Sequence, residues 1–144
     1  MRLPWLSSML LVAAACSSPS AAPADPPCVA GLTTACQPLY SPATYDVLFT
    51  KVLQPNCAVG TGTCHTSDAA QGGLVLQDID AAYAMLLGKD GSHPRVLPGD
   101  PGCSLLMKHL ESTDPSYHMP KGPNSLSAPA LCAITQWIAG GALR

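Results

Sequence analysis

The sequence is poor in charge and in aromatic rings: 11% of its 144 residues are charged, 5% are aromatic, and there is a single phenylalanine. With a net charge of −2 there is no polybasic stretch, so neither a nucleic acid nor an anionic membrane face held by charge is expected as a partner. The motifs that mark small enzymes are missing too. There is no Ser-His-Asp pattern, no phosphate-cradling glycine motif and no helix-borne H-E-x-x-H. The aspartates Asp78, Asp80, Asp90, Asp100 and Asp114 fall mostly at helix caps and turns, where a carboxylate accepts from backbone N–H groups rather than doing acid–base work. The expectation is a protein that is not an enzyme. No run reaches the ~20 apolar residues that a membrane span needs.

What the chain does have begins with a leader. Met1-Arg2 is a short positive start, Leu3 to Val12 is a short apolar run, and Ala13-Ala14-Ala15 are small residues ahead of Cys16. That pattern reads as a signal peptide, and small residues ending directly in a cysteine resemble a bacterial lipobox. The expected organisation is a lipoprotein signal peptide over 1–15, a lipidated spacer rich in Pro, Ala and Ser over 16–41, and one folded domain over 42–144. Cys16 would carry the lipid and tether the protein to a membrane in the bacterial cell envelope, outside the cytoplasm. Setting Cys16 aside leaves Cys28, Cys36, Cys57, Cys64, Cys103 and Cys132. An even count in an oxidising compartment implies disulfides, although sequence alone cannot fix their pairing. Cys28 and Cys36 sit close together in the spacer and are expected to close a local loop.

The domain reads as all-α, with about four helices joined by long loops. Ser41 and Pro42 suit the start of a first helix, and Tyr45, Leu48, Phe49, Val52 and Leu53 make one apolar face that Pro55-Asn56 should end. Asp78 caps a second helix carrying Ile79, Ala82, Tyr83, Leu86 and Leu87, which Gly88 stops. Asp100 and Pro101 are expected to open a third through Leu105, Leu106, Met107, His109 and Leu110. Ser127 caps the last, which runs through Leu131, Ile134, Trp137 and Ile138 to Gly140-Gly141. The stretch Gly72 to Leu76 is too brief to assign. Loops this long in a small helical domain bind something or are stapled.

The chemistry centres on Cys57 to His65. A cysteine directly followed by histidine, Cys64-His65, with Cys57 upstream, resembles the attachment site of a c-type haem. In that chemistry thiols add across the porphyrin vinyl groups and the adjacent imidazole becomes an axial iron ligand. The usual site is C-x-x-C-H. This one is C-x6-C-H, with Thr61 where the first cysteine would stand and glycines at 60 and 62. Further pieces follow in order. They are Val52-Leu53-Gln54-Pro55-Asn56-Cys57, Gly72-Gly73-Leu74, Val96-x-Pro98-Gly99-Asp100-Pro101 with Ser104-Leu105-Leu106, Met119-Pro120, Leu126-Ser127, and Trp137-Ile138-x-x-Gly141-Ala142. Together, over roughly Tyr45 to Leu143, they resemble the cytochrome c-like domains of planctomycete and myxobacterial surface proteins.

That resemblance implies haem c as cofactor, Cys64 as a thioether attachment point, and His65 and Met119 as the two axial ligands of the iron. The haem would hang either from Cys64 alone or from Cys64 and Cys57, reached by a flexible detour through Gly60 and Gly62. Imidazole and thioether together raise the reduction potential and suit one-electron transfer, so a redox partner protein is implied. The first helix should pack on the last, with Phe49 and Trp137 as candidates for the contact. His118 stands beside Met119 as a rival ligand, while His93 and His109 read as ordinary residues. A zinc site on Cys57, Cys64 and His65 lacks the second tight ligand pair that structural zinc uses. The alternative from the same fold is a haem-free domain serving as a surface binding or scaffold module. It would be stapled by Cys28–Cys36, Cys103–Cys132 and Cys57–Cys64.

Overall fold

A computed structural model describes residues 25–59 and 63–144. The leader, Cys16 and the Gly60-Thr61-Gly62 insertion lie outside the described residues.

The first helical stretch begins at α1 (Tyr45–Leu48), passes through a π turn (Phe49–Leu53) and ends in α2 (Gln54–Cys57). It starts at Tyr45, three residues later than Pro42, with the extended residue Thr44 as its cap. It also continues past Pro55 to include Cys57. Proline cannot donate to the ladder and crowds the carbonyl one turn back; here it sits where the wide π turn has already broken regular α geometry, so the helix is not forced to stop. The apolar face is as its spacing predicts, with Tyr45, Leu48, Phe49, Val52 and Leu53 all buried.

α3 (Ile79–Leu86) follows, its first N–H groups satisfied by Asp78, whose carboxylate accepts from Asp80 N at 3.0 Å and Ala81 N at 2.8 Å. α4 (Leu105–Leu110) begins at Ser104 rather than at Pro101. Asp100 is taken up in a turn, where its Oδ1 accepts from Cys103 N at 2.9 Å. The fully buried Ser104 hydroxyl accepts from Leu97 N at 2.8 Å and donates to Asp100 O at 2.7 Å. α5 (Ala128–Ala139) runs as its cap and spacing predict, from Ser127 to Gly140. Among the described residues there is no strand, only an isolated antiparallel bridge between Leu97 and Asp100. The helices and long loops fit a small all-α domain. No helix among the described residues is long and apolar enough to cross a membrane.

α1 packs on α5, as the resemblance implies, with Trp137 in the contact as expected and Tyr45 rather than Phe49 against it. Tyr45 is the hub: its ring lies 5.6 Å from Trp137, 4.7 Å from Tyr83 and 5.8 Å from Phe49. Its hydroxyl donates to Ile79 O at 2.9 Å, which satisfies the polar end of a side chain with no exposed surface; burial holds that phenol well above its ordinary pKa. The C-terminal turn closes the same end, with Tyr83 donating to Ala142 O and Trp137 Nε1 to Leu143 O. Arg144 pairs with Asp46 and Asp80 at the surface.

The disulfides correct the sequence expectation. Cys28 pairs with Cys103 and Cys36 with Cys132; neither the local loop Cys28–Cys36 nor the bridge Cys103–Cys132 forms. The segment expected to be only a spacer is in this part a strap laid across the helices. Val29 N donates to Gly102 O at 2.9 Å and Leu39 N to Pro129 O at 2.8 Å. Gln136 Nε2 donates to Thr34 O at 2.9 Å and Cys36 O at 3.1 Å. Those contacts hold Cys28 beside the turn before α4, where Cys103 lies, and Cys36 beside α5, where Cys132 lies. Cys57 and Cys64 remain free thiols.

Candidate functional site

The two residues read as axial ligands converge. His65, in a 3₁₀ turn (Thr63–His65), and Met119, in the loop between α4 and α5, line the same two adjoining cavities, of about 270 and 230 Å³. Cys57 lines both and Cys64 lines the first. Residues far apart in sequence are thus brought to one place, because α2 packs against the turn that carries His65.

His65 is held from behind by the stretch that the sequence left unassigned. Its Nδ1 donates to Leu74 O at 3.2 Å, and its own carbonyl accepts from Leu76 N at 2.8 Å. Both leucines are buried, so the apolar run has a clear purpose: it is the wall behind the imidazole. Gly73 allows the turn into that wall, at φ +67°, a region L side chains rarely adopt. Arg95 ties the turn to α3 by donating to Gly72 O at 2.8 Å and Met85 O at 3.0 Å. With Nδ1 occupied by a carbonyl, Nε2 is the nitrogen left for a ligand, and the hydrogen bond fixes the ring's tautomer as it does for metal-bound histidines. Burial lowers the imidazole's pKa and favours the neutral, lone-pair-bearing form, partly opposed by the carbonyls of Leu74 and Gln71.

Cys57 is half-buried at the end of α2, and its thiol is pushed up to about 11 by burial and by the neighbouring Cys64. The second cavity is walled by leucines including Leu53, Leu74, Leu86 and Leu106. Among the described lining residues of both cavities the only full charges are Lys121 and Arg95, with no carboxylate.

Three further sequence readings meet the geometry. Both ring nitrogens of His118 are engaged, Nδ1 with Ser112 O at 2.8 Å and Nε2 with Ser125 Oγ at 3.0 Å. His118 does not line the His65 cavities, whereas Met119 lines both. Among the described residues no three His, Cys, Asp or Glu side chains cluster to hold a metal ion. His109, read from sequence as ordinary, lines the leucine-walled cavity together with His65 and Met119. Its position one residue from Leu110 on a short amphipathic helix carried no signal of this.

Residues 62–122 match the family model of Planctomycete cytochrome C. The matched stretch holds Cys64, His65 and Met119 but stops short of Cys57 and of the first and last helices. It supports a planctomycete-type cytochrome c-like domain, in agreement with the motifs read from the sequence. No curated protein and no solved structure matches the chain.

Proposed function

We propose that the protein is an extracytoplasmic, lipid-anchored c-type-cytochrome-like protein that binds one haem and passes single electrons to and from a redox partner protein. The observation that carries the reading is the convergence of His65 and Met119 on shared cavities. When bound there, the haem supplies a reversible one-electron change at its iron.

The residues present fit such a group. His65 offers a neutral imidazole nitrogen backed by the Leu74 carbonyl, and Met119 offers a thioether. The two cavities together fall in the range of cofactor sites, roughly 300–1,000 Å³. Their leucine walls suit a porphyrin face, and Arg95 and Lys121 suit its carboxylates. Cys64 stands beside His65 for a thioether bond, formed when its S–H adds across a vinyl group; Cys57 shares the cavity and is placed to give the second. The leucine walls of the second cavity suit binding and tuning of the group, and in this reading the protein carries electrons rather than transforming a substrate. Cys16 carries the lipid and holds the protein in the bacterial envelope, in the periplasm or at the cell surface.

A second reading has one observation in its favour. Cys57 and Cys64 are free and near enough for one to raise the pKa of the other, and oxidation of that pair would close a third disulfide. The protein would then be a haem-free surface binding or scaffold module.

Two variants test the ligand assignment. His65→Ala should abolish the low-spin haem spectrum. Met119→Ala should leave the haem bound with an altered spectrum and a lower reduction potential, because the thioether is what raises it. Two spectra identical to that of the parent protein would overturn the assignment.

A further inference from the structure

His109 lies on α4 with its ring against the loop that carries Met119. Its Nδ1 bonds to Tyr117 O at 2.6 Å, and because a carbonyl can only accept, the proton must sit on that nitrogen. The ring stacks on the Tyr117 ring, 5.7 Å between centroids at 24°. The backbone carbonyl of the same residue accepts from Met119 N at 3.0 Å. One residue therefore grips both the segment before Met119 and Met119 itself.

We propose that His109 is the positioning residue for Met119, a clamp that holds the thioether on the wall it shares with His65. The proposal rests on the reading of Met119 as a ligand and adds to it the residue through which that ligand is held. The need for a clamp follows from the surroundings. From Met119 to Ser125 the chain has no regular structure and is mostly exposed, so no helical ladder fixes the methionine. Ordering a free loop at the moment of ligation would cost conformational entropy, which a preformed hydrogen bond removes beforehand. The Met119 N–H to His109 carbonyl bond survives any substitution at 109. The Nδ1–H to Tyr117 bond does not, and it requires a donor at that point on the side chain. Asparagine has one at the equivalent position; phenylalanine keeps the ring and the stacking but has none.

The test compares the exported full chain with His109→Phe and His109→Asn by two readouts: amide hydrogen exchange over Tyr117 to Met119, and the spectrum and reduction potential of the haem-loaded protein. His109→Phe should speed exchange of the Met119 amide by roughly fivefold, because the segment that carries it opens more readily once the bond from His109 to Tyr117 O is lost, and should lower the reduction potential toward that of Met119→Ala. His109→Asn should restore both. An unchanged His109→Phe protein overturns the clamp, and so does an asparagine variant as impaired as the phenylalanine one, since the donor would then not matter. If His109 were itself the distal ligand, Met119→Ala would leave the spectrum unchanged while both His109 variants lost it, and the proposal would be wrong. A parent chain that takes up no haem overturns the reading beneath, and with it the role given to Met119. That failure shows as a colourless parent protein, whereas failure of the clamp alone shows as haem-loaded variants with parental exchange and potential.

Discussion

At the residue scale the site separates what a sequence displays from what only a fold displays. Cys64-His65 is visible because the resemblance rests on a cysteine and a histidine side by side, and Met119-Pro120 because it falls in order among the motifs of the same resemblance; the structure brings both to one cavity. His109 was not legible. Its place at the site comes from the loop folding back over α4, and nothing in the spacing of Leu106, His109 and Leu110 signals that. The disulfide partners were not legible for a related reason. Cys28 and Cys36 are neighbours in sequence, and proximity along the chain outweighs everything else until the strap's hydrogen bonds are seen. Gly102 shows how closely that strap is seated: a Cβ added there would stand 2.8 Å from the carbonyl oxygen of Val29, a backbone atom that cannot swing aside. Gly102→Ala should therefore destabilise the domain by about 1–3 kcal/mol, the usual cost of overpacking. A thermal melt beside the parent protein checks this, and an unchanged midpoint would mean that the strap yields freely.

At the scale of elements, the helices were the most legible feature. Asp78 and Ser127 cap where their sequence context predicts, because a cap is a local hydrogen bond that needs no distant partner. The first and third helices shifted where tertiary contacts outweighed a local signal. Pro42 is passed over for Thr44, Pro55 is absorbed beside a π turn, and Asp100 is drawn into the turn that bears Cys103. The strap is the element that the sequence concealed, since a proline-rich stretch cannot fold alone and draws its order entirely from what it lies upon. Its two disulfides span 75 and 96 residues. Closing loops of that length restricts the unfolded chain most, by about 4 kcal/mol per bridge in the chain-entropy picture. Replacing Cys36 and Cys132 together by serine should lower stability by that order in denaturant titration, with a lower midpoint and a steeper slope, because the released unfolded chain exposes more surface. A loss below about 1 kcal/mol would show that the helical body holds without its strap.

At the scale of the whole molecule, the parts have one arrangement in common. An aromatic cluster around Tyr45 joins the first and last helices at one end. A strap locks α4 and α5 from outside. The cavities bearing His65 and Met119 lie between α2, α4 and their loops. The aromatic cluster and the strap supply stability away from the cavities, while Leu53, Leu74, Leu76 and Leu86 belong both to the buried core and to the cavity wall. The wide C-x6-C-H spacing becomes intelligible here: α2 carries Cys57 onto the same cavity wall as Cys64 despite the intervening residues. The central claim is tested most directly by the intact mass and visible spectrum of the mature protein, exported from cells that mature c-type haem. The account predicts a coloured protein, carrying the added mass of one haem that survives denaturation, with its four strap and helix cysteines oxidised in two bridges. A colourless protein with Cys57 and Cys64 joined in a third disulfide would contradict it.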